Sequence, residues 1–376
     1  MILRNADVFL PDGKFHRCDV RFNATVEALG HFSPRPGETL LDGSGCYLIP
    51  GLIDIHTHGA VGLDFSDGDA SALSPLASHY GRHGVTSFLA TTMTLPEDAL
   101  IRAAQIVAGH KRGSGQARCI GLHLEGPFFS FSKRGAQNPD HLHAPDYHMF
   151  TRINQASGGL VKLVAVAPEL EGALDFIEKA SKICAVSLAH TAAGYAQAQA
   201  GFAAGATQAT HLFNGMNEFL HREPGLVGAA MDSGAYAELI CDGIHNHPAV
   251  VRAAFAMFPG RVLLISDSLR CAGMPEGEYV LGGQMVSLHN GVARLEDGTI
   301  AGSRITVLEA VQNAVKFGIP LETAVAAATQ QPAAAIGMAD TLGCIAIGRG
   351  ADLVLLNNAL EPVDVWVAGE RLERTS

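Results

Sequence analysis

Two histidines follow a buried strand near the start of the chain and have the spacing of metal ligands. The stretch Pro50–Gly59 reads Pro-Gly-Leu-Ile-Asp-Ile-His-Thr-His-Gly, with His56 and His58 at the end of an apolar run. Residues two apart in an extended chain point to the same face, so the two imidazoles would lie side by side. Paired imidazoles suit a divalent ion such as zinc or iron. Alone this pair is weak evidence, because polar residues are common where a strand meets its loop.

Further residues able to bind metal or move protons stand at the ends of later apolar runs, each typical of a buried strand. They are Glu125 in His-Leu-Glu-Gly-Pro, His190 in Leu-Ala-His-Thr, His211 in Thr-His-Leu-Phe-Asn-Gly-Met, Asp242 and His245 in Asp-Gly-Ile-His, and Asp267 in Ile-Ser-Asp-Ser. One such residue could simply bind loop backbone, but a set of histidines and carboxylates at equivalent positions predicts a metal centre. Mixed imidazole and carboxylate ligands favour Zn or Fe over Mg.

Eight strand-like segments that alternate with helix-like segments would position these residues. The predicted strands are Leu48–His56, Val85–Thr91, Cys119–Glu125, Leu160–Ala167, Ala185–His190, Ala206–His211, Ala237–Asp242 and Val262–Asp267. Eight parallel βα units predict an α/β fold, the (β/α)8 TIM barrel, whose active site lies at the C-terminal ends of the strands. An open doubly wound sheet is the nearest rival, but no Gly-x-Gly-x-x-Gly loop follows the first strand.

Both ends of the chain have short strand-like segments that are separated by turns. These segments are Met1–Val8, Cys18–Phe22, Val26–Leu29, Ala351–Leu356 and Val363–Ala368. We predict a small β-sandwich domain formed by both termini, with residues 1–47 as its first part and residues 341–376 as its second. Residues 48–340 would form the barrel.

Composition restricts the class of protein and its partners. The chain has 376 residues, of which 48% are hydrophobic and 17% charged, which predicts a globular protein with a large core. Its net charge of −11 argues against nucleic acid or anionic membranes as partners. Seven scattered cysteines without a Cys-x-x-Cys pair indicate reduced thiols and a cytoplasmic location. The N-terminus lacks a signal-peptide layout, and no apolar run of about eighteen residues predicts a membrane span.

Five motifs in the barrel region resemble those of one enzyme family. They are His-Leu-Glu-Gly-Pro, Thr-His-Leu-Phe-Asn, His-Arg-Glu-Pro-Gly, Asp-Gly-Ile-His and Ala-Gly-Met-Pro-Glu-Gly-Glu-Tyr. Together they resemble the N-acetylglucosamine-6-phosphate deacetylases of the amidohydrolase superfamily, over essentially the whole chain. The resemblance implies a metal-dependent hydrolase that converts N-acetylglucosamine 6-phosphate to glucosamine 6-phosphate and acetate. It also implies a homodimer.

The resemblance assigns roles to individual residues. Glu125, His190 and His211 would hold one divalent ion. Because the chain retains His56 and His58, a second ion bridged by Glu125 is implied as well, with Asp267 near it. Asp267 would be the catalytic acid and base, and His245 would help to stabilise the oxyanion. The implied substrate contacts are Ala136, Gln137, Asn214, Gly215, Arg222, His245, Ile300, Ala301 and Gly302.

Arg222 is the expected phosphate anchor, since a guanidinium group matches phosphate geometry. It lies on the loop leaving strand six, where it could overhang its own barrel mouth or that of a neighbouring subunit. A surface ion pair with Glu223 is the alternative for this residue. The histidines at 141, 143 and 148 crowd the loop after strand three, where they could form a lid or face solvent.

Three alternatives to this function stay open. Asn214-Gly215 resembles the branch that acts on N-acetylgalactosamine 6-phosphate, so the sugar epimer is undecided. Another amidohydrolase activity on a small amide, such as a cyclic amidase or a nucleobase deaminase, would use the same ligands. A non-catalytic barrel would be favoured by missing ligands, yet every expected ligand position is filled.

Overall fold

A sheet of eight parallel strands forms the centre of the structure, a computed structural model that describes residues 1–372. The barrel strands, in chain order, are Leu52–Thr57, Val85–Thr92, Arg118–Leu124, Val161–Val166, Ala185–Leu188, Gln208–Ala209, Tyr236–Ile240 and Val262–Ile265. Each strand pairs in parallel with the next along the chain. The predicted (β/α)8 fold is therefore confirmed.

The first and eighth barrel strands are joined at their C-terminal ends, where the barrel closes. The amide of Asp267 donates a hydrogen bond to the carbonyl of His56 at 2.9 Å, and the amide of His58 donates to the carbonyl of Ser268 at 2.9 Å. These bonds tie the two ends that carry the predicted ligands and so fix His56, His58 and Asp267 relative to one another.

Helices pack around the barrel strands and share one large apolar core with them. The α-helices are Leu73–Arg82, Glu97–Gly109, Tyr147–Ala156, Ala173–Ala180, Tyr195–Ala203, Gly225–Asp232, Pro248–Met257, Val307–Lys316, Leu321–Ala328 and Gln330–Ala335, and the short 3-10 helices are Phe65–Asp67, Phe131–Lys133 and Pro139–His141. The last α-helix contributes Ala333 and Ala335 to the apolar cluster that fills the barrel interior with Ile53, Leu163 and Leu263. Among the described helices, none combines the length and the apolar character that crossing a membrane would require.

Both termini build one eight-stranded sheet beside the barrel, which confirms a separate β-domain formed by the two chain ends; its strands form one hydrogen-bonded sheet. Its strands are Ile2–Phe9, Phe15–Phe22, Val26–Gly30, Leu40–Asp42, Tyr47–Pro50, Leu353–Leu356, Pro362–Val367 and Glu370–Arg371. The join between the two ends is the antiparallel pair formed by Tyr47–Pro50 and Leu353–Leu356. A separate apolar core supports this sheet and includes Phe22, Leu48 and Trp366.

The first expected strand, Leu48–His56, is in fact two strands that belong to different sheets. Tyr47–Pro50 pairs with the terminal strands, whereas Leu52–Thr57 begins the barrel. Gly51 separates them at a point where an added Cβ would lie 2.0 Å from Oγ1 of Thr86, so only glycine fits. The division into 1–47, 48–340 and 341–376 stays a proposal, and residues 373–376 of its last part lie outside the described residues.

A three-stranded antiparallel sheet follows the eighth barrel strand and lies beside the C-terminal strand ends. It consists of Gly277–Leu281, Gln284–His289 and Val292–Leu295. Nε2 of Gln284 donates a hydrogen bond to the carbonyl of Ala136 at 2.6 Å. Leu281 packs with Met93 and Leu269 in one apolar cluster. This sheet thereby forms part of the wall around the predicted site.

Trp366→Ala should test whether the two chain ends stabilise each other. Trp366 is fully buried and packs edge-on against Phe22, with ring centroids 5.4 Å apart. Truncating a buried aromatic side chain costs about 3–5 kcal/mol, which denaturant unfolding of the variant should report. Trp366→Phe is the matched control, because Nε1 of Trp366 has no hydrogen-bond partner among the described residues. Equal stability of the alanine variant and the wild type would contradict this prediction.

Candidate metal centre and active site

The residues predicted to bind metal come together at the C-terminal end of the barrel. His56 lies within the first barrel strand and His58 just after it, and Glu125 directly follows the third strand. His190 and His211 each lie two residues beyond the ends of the fifth and sixth strands. All five side chains are buried, so their polar atoms must be satisfied within the site.

Glu125, His190 and His211 form the first group that could hold an ion. Oε1 of Glu125 lies 3.3 Å from Nε2 of His190 and 3.1 Å from Nε2 of His211. Nδ1 of His190 donates to the carbonyl of Lys133 at 2.9 Å, and Nδ1 of His211 donates to the carbonyl of Asn214 at 3.1 Å. Because Nδ1 carries the hydrogen, a neutral ring presents the lone pair of Nε2 to the site.

His56, His58 and Glu125 form the second group, and Asp267 lies against it. Nε2 of His56 is 3.3 Å from Oε1 of Glu125, and Nε2 of His58 is 3.3 Å from Oε2 of the same carboxylate. Oδ1 of Asp267 lies 3.3 Å from Nε2 of His58 and 3.5 Å from Nε2 of His56. Glu125 thus belongs to both groups, because its Oε1 faces His56 as well as His190 and His211, and its Oε2 faces His58.

These residues fit one or two divalent ions on chemical grounds. The Nε2 atoms of His190 and His211 are 3.1 Å apart, and both face Oε1 of Glu125. Nε2 of His56 has no hydrogen-bond partner among the described residues. Lone pairs of nitrogen and oxygen that converge in a buried space repel one another unless a cation lies between them. Imidazole and carboxylate ligands in such a set suit zinc or iron.

The pKa shifts of the site residues also show that this cluster favours positive charge. Burial lowers the pKa of His58, but hydrogen bonds with Asp267 and Glu125 outweigh burial and raise the pKa to about 9. Burial raises the pKa of Glu125, but the neighbouring His56 together with His190 and His211 holds it well below its ordinary value. The carboxylates therefore draw either protons or a metal ion into this cluster.

Three site residues have a backbone conformation that is rare for residues other than glycine. The φ angles of His190, His211 and Asp267 are 43°, 28° and 48°. Such left-handed conformations cost energy and persist where surrounding bonds impose them. The carbonyl of Asp267, for example, accepts the amide of Ser303 at 2.7 Å. Each of the three strands therefore turns sharply as it ends, which aims the side chain across the barrel mouth.

A cavity of about 280 Å³ opens above this cluster. It is lined by the ligand candidates His58, Glu125, His190, His211 and Asp267, and by seven of the predicted substrate contacts, namely Ala136, Gln137, Asn214, Gly215, His245, Ile300 and Gly302. Nδ1 of His245 is 2.7 Å from Oδ2 of Asp242, which fixes the orientation of that ring in the cavity wall. This volume is close to the lower end of the range for small-molecule sites.

Two predicted substrate contacts do not line the cavity. Ala301 is fully buried behind its neighbours, and its amide donates to the carbonyl of Ala293 at 3.0 Å. Arg222 is exposed on the loop that follows the sixth strand. The loop histidines at 141, 143 and 148 also stay outside the cavity lining.

Gln137 and Glu238 have contacts that sequence reasoning did not anticipate. Nε2 of Gln137 donates to Oε2 of Glu125 at 2.5 Å, while its Oε1 accepts the amide of Thr94 at 2.7 Å. Glu238, in the seventh barrel strand, places Oε2 2.8 Å from Nδ1 of His56. The only signal for Glu238 was a charged residue within an apolar strand, and nothing in the sequence indicated its partner.

The chain is similar to known proteins over most of its length. Residues 47–372 match the family model described as amidohydrolase family. The N-acetylgalactosamine-6-phosphate deacetylase of Escherichia coli O157:H7 is 38% identical over 327 residues, 86% of this chain and 87% of that protein. The N-acetylglucosamine-6-phosphate deacetylase of Bacillus subtilis (strain 168) is 38% identical over 325 residues, 84% of this chain and 82% of that protein.

A solved structure extends the similarity to the fold. A mutant N-acetyl-D-glucosamine-6-phosphate deacetylase from Mycobacterium smegmatis, in complex with N-acetyl-D-glucosamine-6-phosphate, is 32% identical. It superimposes with a TM-score of 0.91 over 100% of this chain and 99% of that one. From the family model, the sequence relatives and this structure together, the chain belongs to the amidohydrolase family, in the branch that contains the N-acetylglucosamine-6-phosphate deacetylases.

Proposed function

We propose that this protein hydrolyses the N-acetyl group of N-acetylglucosamine 6-phosphate, giving glucosamine 6-phosphate and acetate. The observation that carries the proposal is the cavity, because its lining combines Asp267 and members of both ligand groups with seven of the predicted sugar contacts. Relatives named for this activity in bacteria and animals support it.

The chain's own residues would perform the proton transfers and the positioning. A bound divalent ion would lower the pKa of water and supply hydroxide near neutral pH. Asp267 accepts the proton of the attacking water and then donates it to the amine nitrogen as the amide bond breaks. His245 is held through Nδ1 by Asp242, and with both ring nitrogens protonated it can donate from Nε2 to the developing oxyanion.

We further propose the nature of the metal and the assembly. The ligands His56, His58, Glu125, His190 and His211, together with Asp267, would hold one or two zinc or iron ions per subunit. A homodimer is supported by the exposed Phe219 and Leu220, at 43% and 50%, beside Arg222 on the loop after strand six. A cytoplasmic location is supported by seven cysteines that all carry free thiols.

The galacto epimer is a second candidate substrate, favoured by two observations. The Escherichia coli relative is named for N-acetylgalactosamine 6-phosphate. The pair Asn214-Gly215, which resembles the branch that acts on N-acetylgalactosamine 6-phosphate, lines the cavity.

Acetate release from the two epimeric N-acetylhexosamine 6-phosphates, measured side by side, tests the proposal. A higher kcat/KM for the gluco epimer supports it, whereas a higher value for the galacto epimer assigns the second candidate. A panel of cyclic amides serves as the control for other amidohydrolase activities. Turnover of a cyclic amide without acetate release from either sugar phosphate would reject both candidates.

Arg222→Ala tests the expected phosphate anchor. A charge-assisted contact with phosphate is worth roughly 1.5–3 kcal/mol, so kcat/KM for the phosphorylated sugar should fall about 10- to 150-fold. Plain N-acetylglucosamine should be used equally poorly by variant and wild type. Because Arg222 does not line the cavity of its own subunit, the contact would require loop movement or a second subunit.

The informative quantity for Arg222 is the ratio of kcat/KM for the phosphorylated and the plain sugar. Arg252→Ala is the matched control, because this exposed arginine lies on a remote helix and donates to the carbonyl of Phe317. A ratio that is the same in Arg222→Ala as in the wild type would exclude this anchor and leave Arg222 as an exposed surface residue.

A further inference from the structure

Glu238 is a fully buried carboxylate that lies beneath the metal cluster and outside the cavity lining. Within residues 1–372 its ion pairs involve His56 alone, through Oε2 and Nδ1 at 2.8 Å. The same oxygen accepts a weaker hydrogen bond from the amide of His211 at 3.4 Å. Placing an anion in an apolar interior is costly unless it is paired, so Glu238 has a specific task at this position.

The contact with Glu238 determines which nitrogen of His56 carries the hydrogen. An ionised carboxylate only accepts hydrogen bonds, so Nδ1 of His56 must be the donor. Nε2 of the neutral ring then has a lone pair, which points toward Oε1 of Glu125 at 3.3 Å and Oδ1 of Asp267 at 3.5 Å. This arrangement is repulsive for a metal-free neutral ring and favourable for a ring that binds a cation through Nε2.

The two ligand groups differ in how their histidines are oriented. His190 and His211 donate from Nδ1 to the backbone carbonyls of Lys133 and Asn214, which are neutral acceptors. His56 donates instead to a side-chain carboxylate, which raises the basicity of the ligand nitrogen more strongly. A third buried carboxylate beside Glu125 and Asp267 also offsets part of the charge that a second divalent ion would bring.

We propose that Glu238 is the positioning residue that makes His56 a ligand, and so creates the ion site formed by His56, His58 and Glu125. The ion site formed by Glu125, His190 and His211 does not depend on it. The inference rests on the metal centre of the proposed function. It does not depend on which sugar is the substrate, because the test below measures metal binding without substrate.

The test is a titration of metal-free, full-length protein with cobalt(II), followed by visible absorption and by metal analysis after dialysis. Wild type should bind two ions per subunit. Glu238→Gln is nearly isosteric and can still accept from Nδ1, but it lacks the charge, whereas Glu238→Leu removes the acceptor. The affinity for the second ion should fall about 10- to 100-fold, more in the leucine variant, and the affinity for the first ion should be unchanged.

A double-variant experiment separates positioning from a general structural effect. In a His56→Ala background the ring that Glu238 orients is absent, so Glu238→Gln should cause no further loss of the second ion. Asp54→Asn is the matched control. Asp54 is an equally buried carboxylate that accepts the amide of His56 at 3.2 Å and the hydroxyl of Ser266 at 2.6 Å, without touching the His56 ring. This variant should bind both ions as the wild type does.

Several outcomes would overturn the inference. One is unchanged cobalt binding in both Glu238→Gln and Glu238→Leu. Another is a wild-type protein that binds only one ion, with an affinity that Glu238→Gln does not change. Equal weakening of both ions, or the same loss in the presence and absence of the His56 ring, would indicate a merely structural residue. If Glu238→Leu does not fold, the comparison of Glu238→Gln with Asp54→Asn decides. Failure of the substrate proposal would appear separately, as absence of acetate release by wild-type protein that binds two ions.

Discussion

Asp267→Asn is expected to lower kcat by about 10²–10⁴-fold while substrate binding persists, because removal of a general acid and base has effects of this size. Asparagine is nearly isosteric with aspartate but cannot accept and return a proton. The side chain lines the cavity and is 10% exposed, so it can reach a bound substrate. Because the backbone of Asp267 is bonded to His56 and Ser303, the variant should keep its fold.

The measurement is steady-state acetate release, combined with substrate binding by calorimetry. A fall in kcat with KM within a few-fold of the wild-type value would place the loss in the chemical step. Metal content must be determined on the same samples, since Oδ1 of Asp267 lies within 3.3 Å of His58 and could also contact an ion. Turnover near the wild-type rate at full metal occupancy would exclude Asp267 from proton transfer.

The barrel could be predicted because its signal is local and repeated. Each buried strand is a short apolar run, each run is followed by a helix-like segment, and the strand ends were expected within a few residues. The ligands themselves lie up to two residues further, where His190, His211 and Asp267 leave the extended conformation. A turn that is imposed by tertiary hydrogen bonds has no sequence pattern of its own, so the predicted strands ran too far.

The terminal sheet shows where local reasoning fails. Tyr47–Pro50 continues into the first barrel strand without a change in hydropathy, and only Pro50-Gly51 marks the break. Its partner strand, Leu353–Leu356, lies about three hundred residues later in the chain. The helix Gly225–Asp232 also lacks a clear local signal: six of its eight residues are buried, so no polar face gives it a helical period.

Some residues of the site could be predicted from sequence motifs, whereas other contacts are visible only in the three-dimensional structure. The ligands and Asp267 occupy positions that follow recognisable motifs. Glu238 orients a ligand from a different strand, 182 residues away from His56. Gln137 was expected at the sugar, yet both polar ends of its amide are bonded to protein, at Glu125 and Thr94, even though the side chain lines the cavity.

His211→Ala is expected to release the ion of the first group and to abolish most activity. Without the imidazole, this group retains only Glu125 and His190, too few protein ligands for a stable site. Losing the hydrogen-bond partner of a metal ligand typically lowers the metal affinity about 10- to 100-fold. Losing the ligand itself should lower the affinity of this group for its ion by more than that. Metal-assisted hydrolysis depends on the ion for several kcal/mol of transition-state stabilisation, so activity should fall at least about 100-fold.

Metal analysis after dialysis and acetate release should therefore change together in this variant. His79→Ala is the matched control, because His79 is a half-buried histidine on the helix Leu73–Arg82 that belongs to neither ligand group. Burial lowers the pKa of His79 to about 4. It should retain wild-type metal content and activity. The second group keeps His56, His58 and Glu125, so one ion should remain in His211→Ala. Full occupancy of both sites in His211→Ala would contradict the ligand assignment, and full activity with one ion would place the reaction at the second group alone.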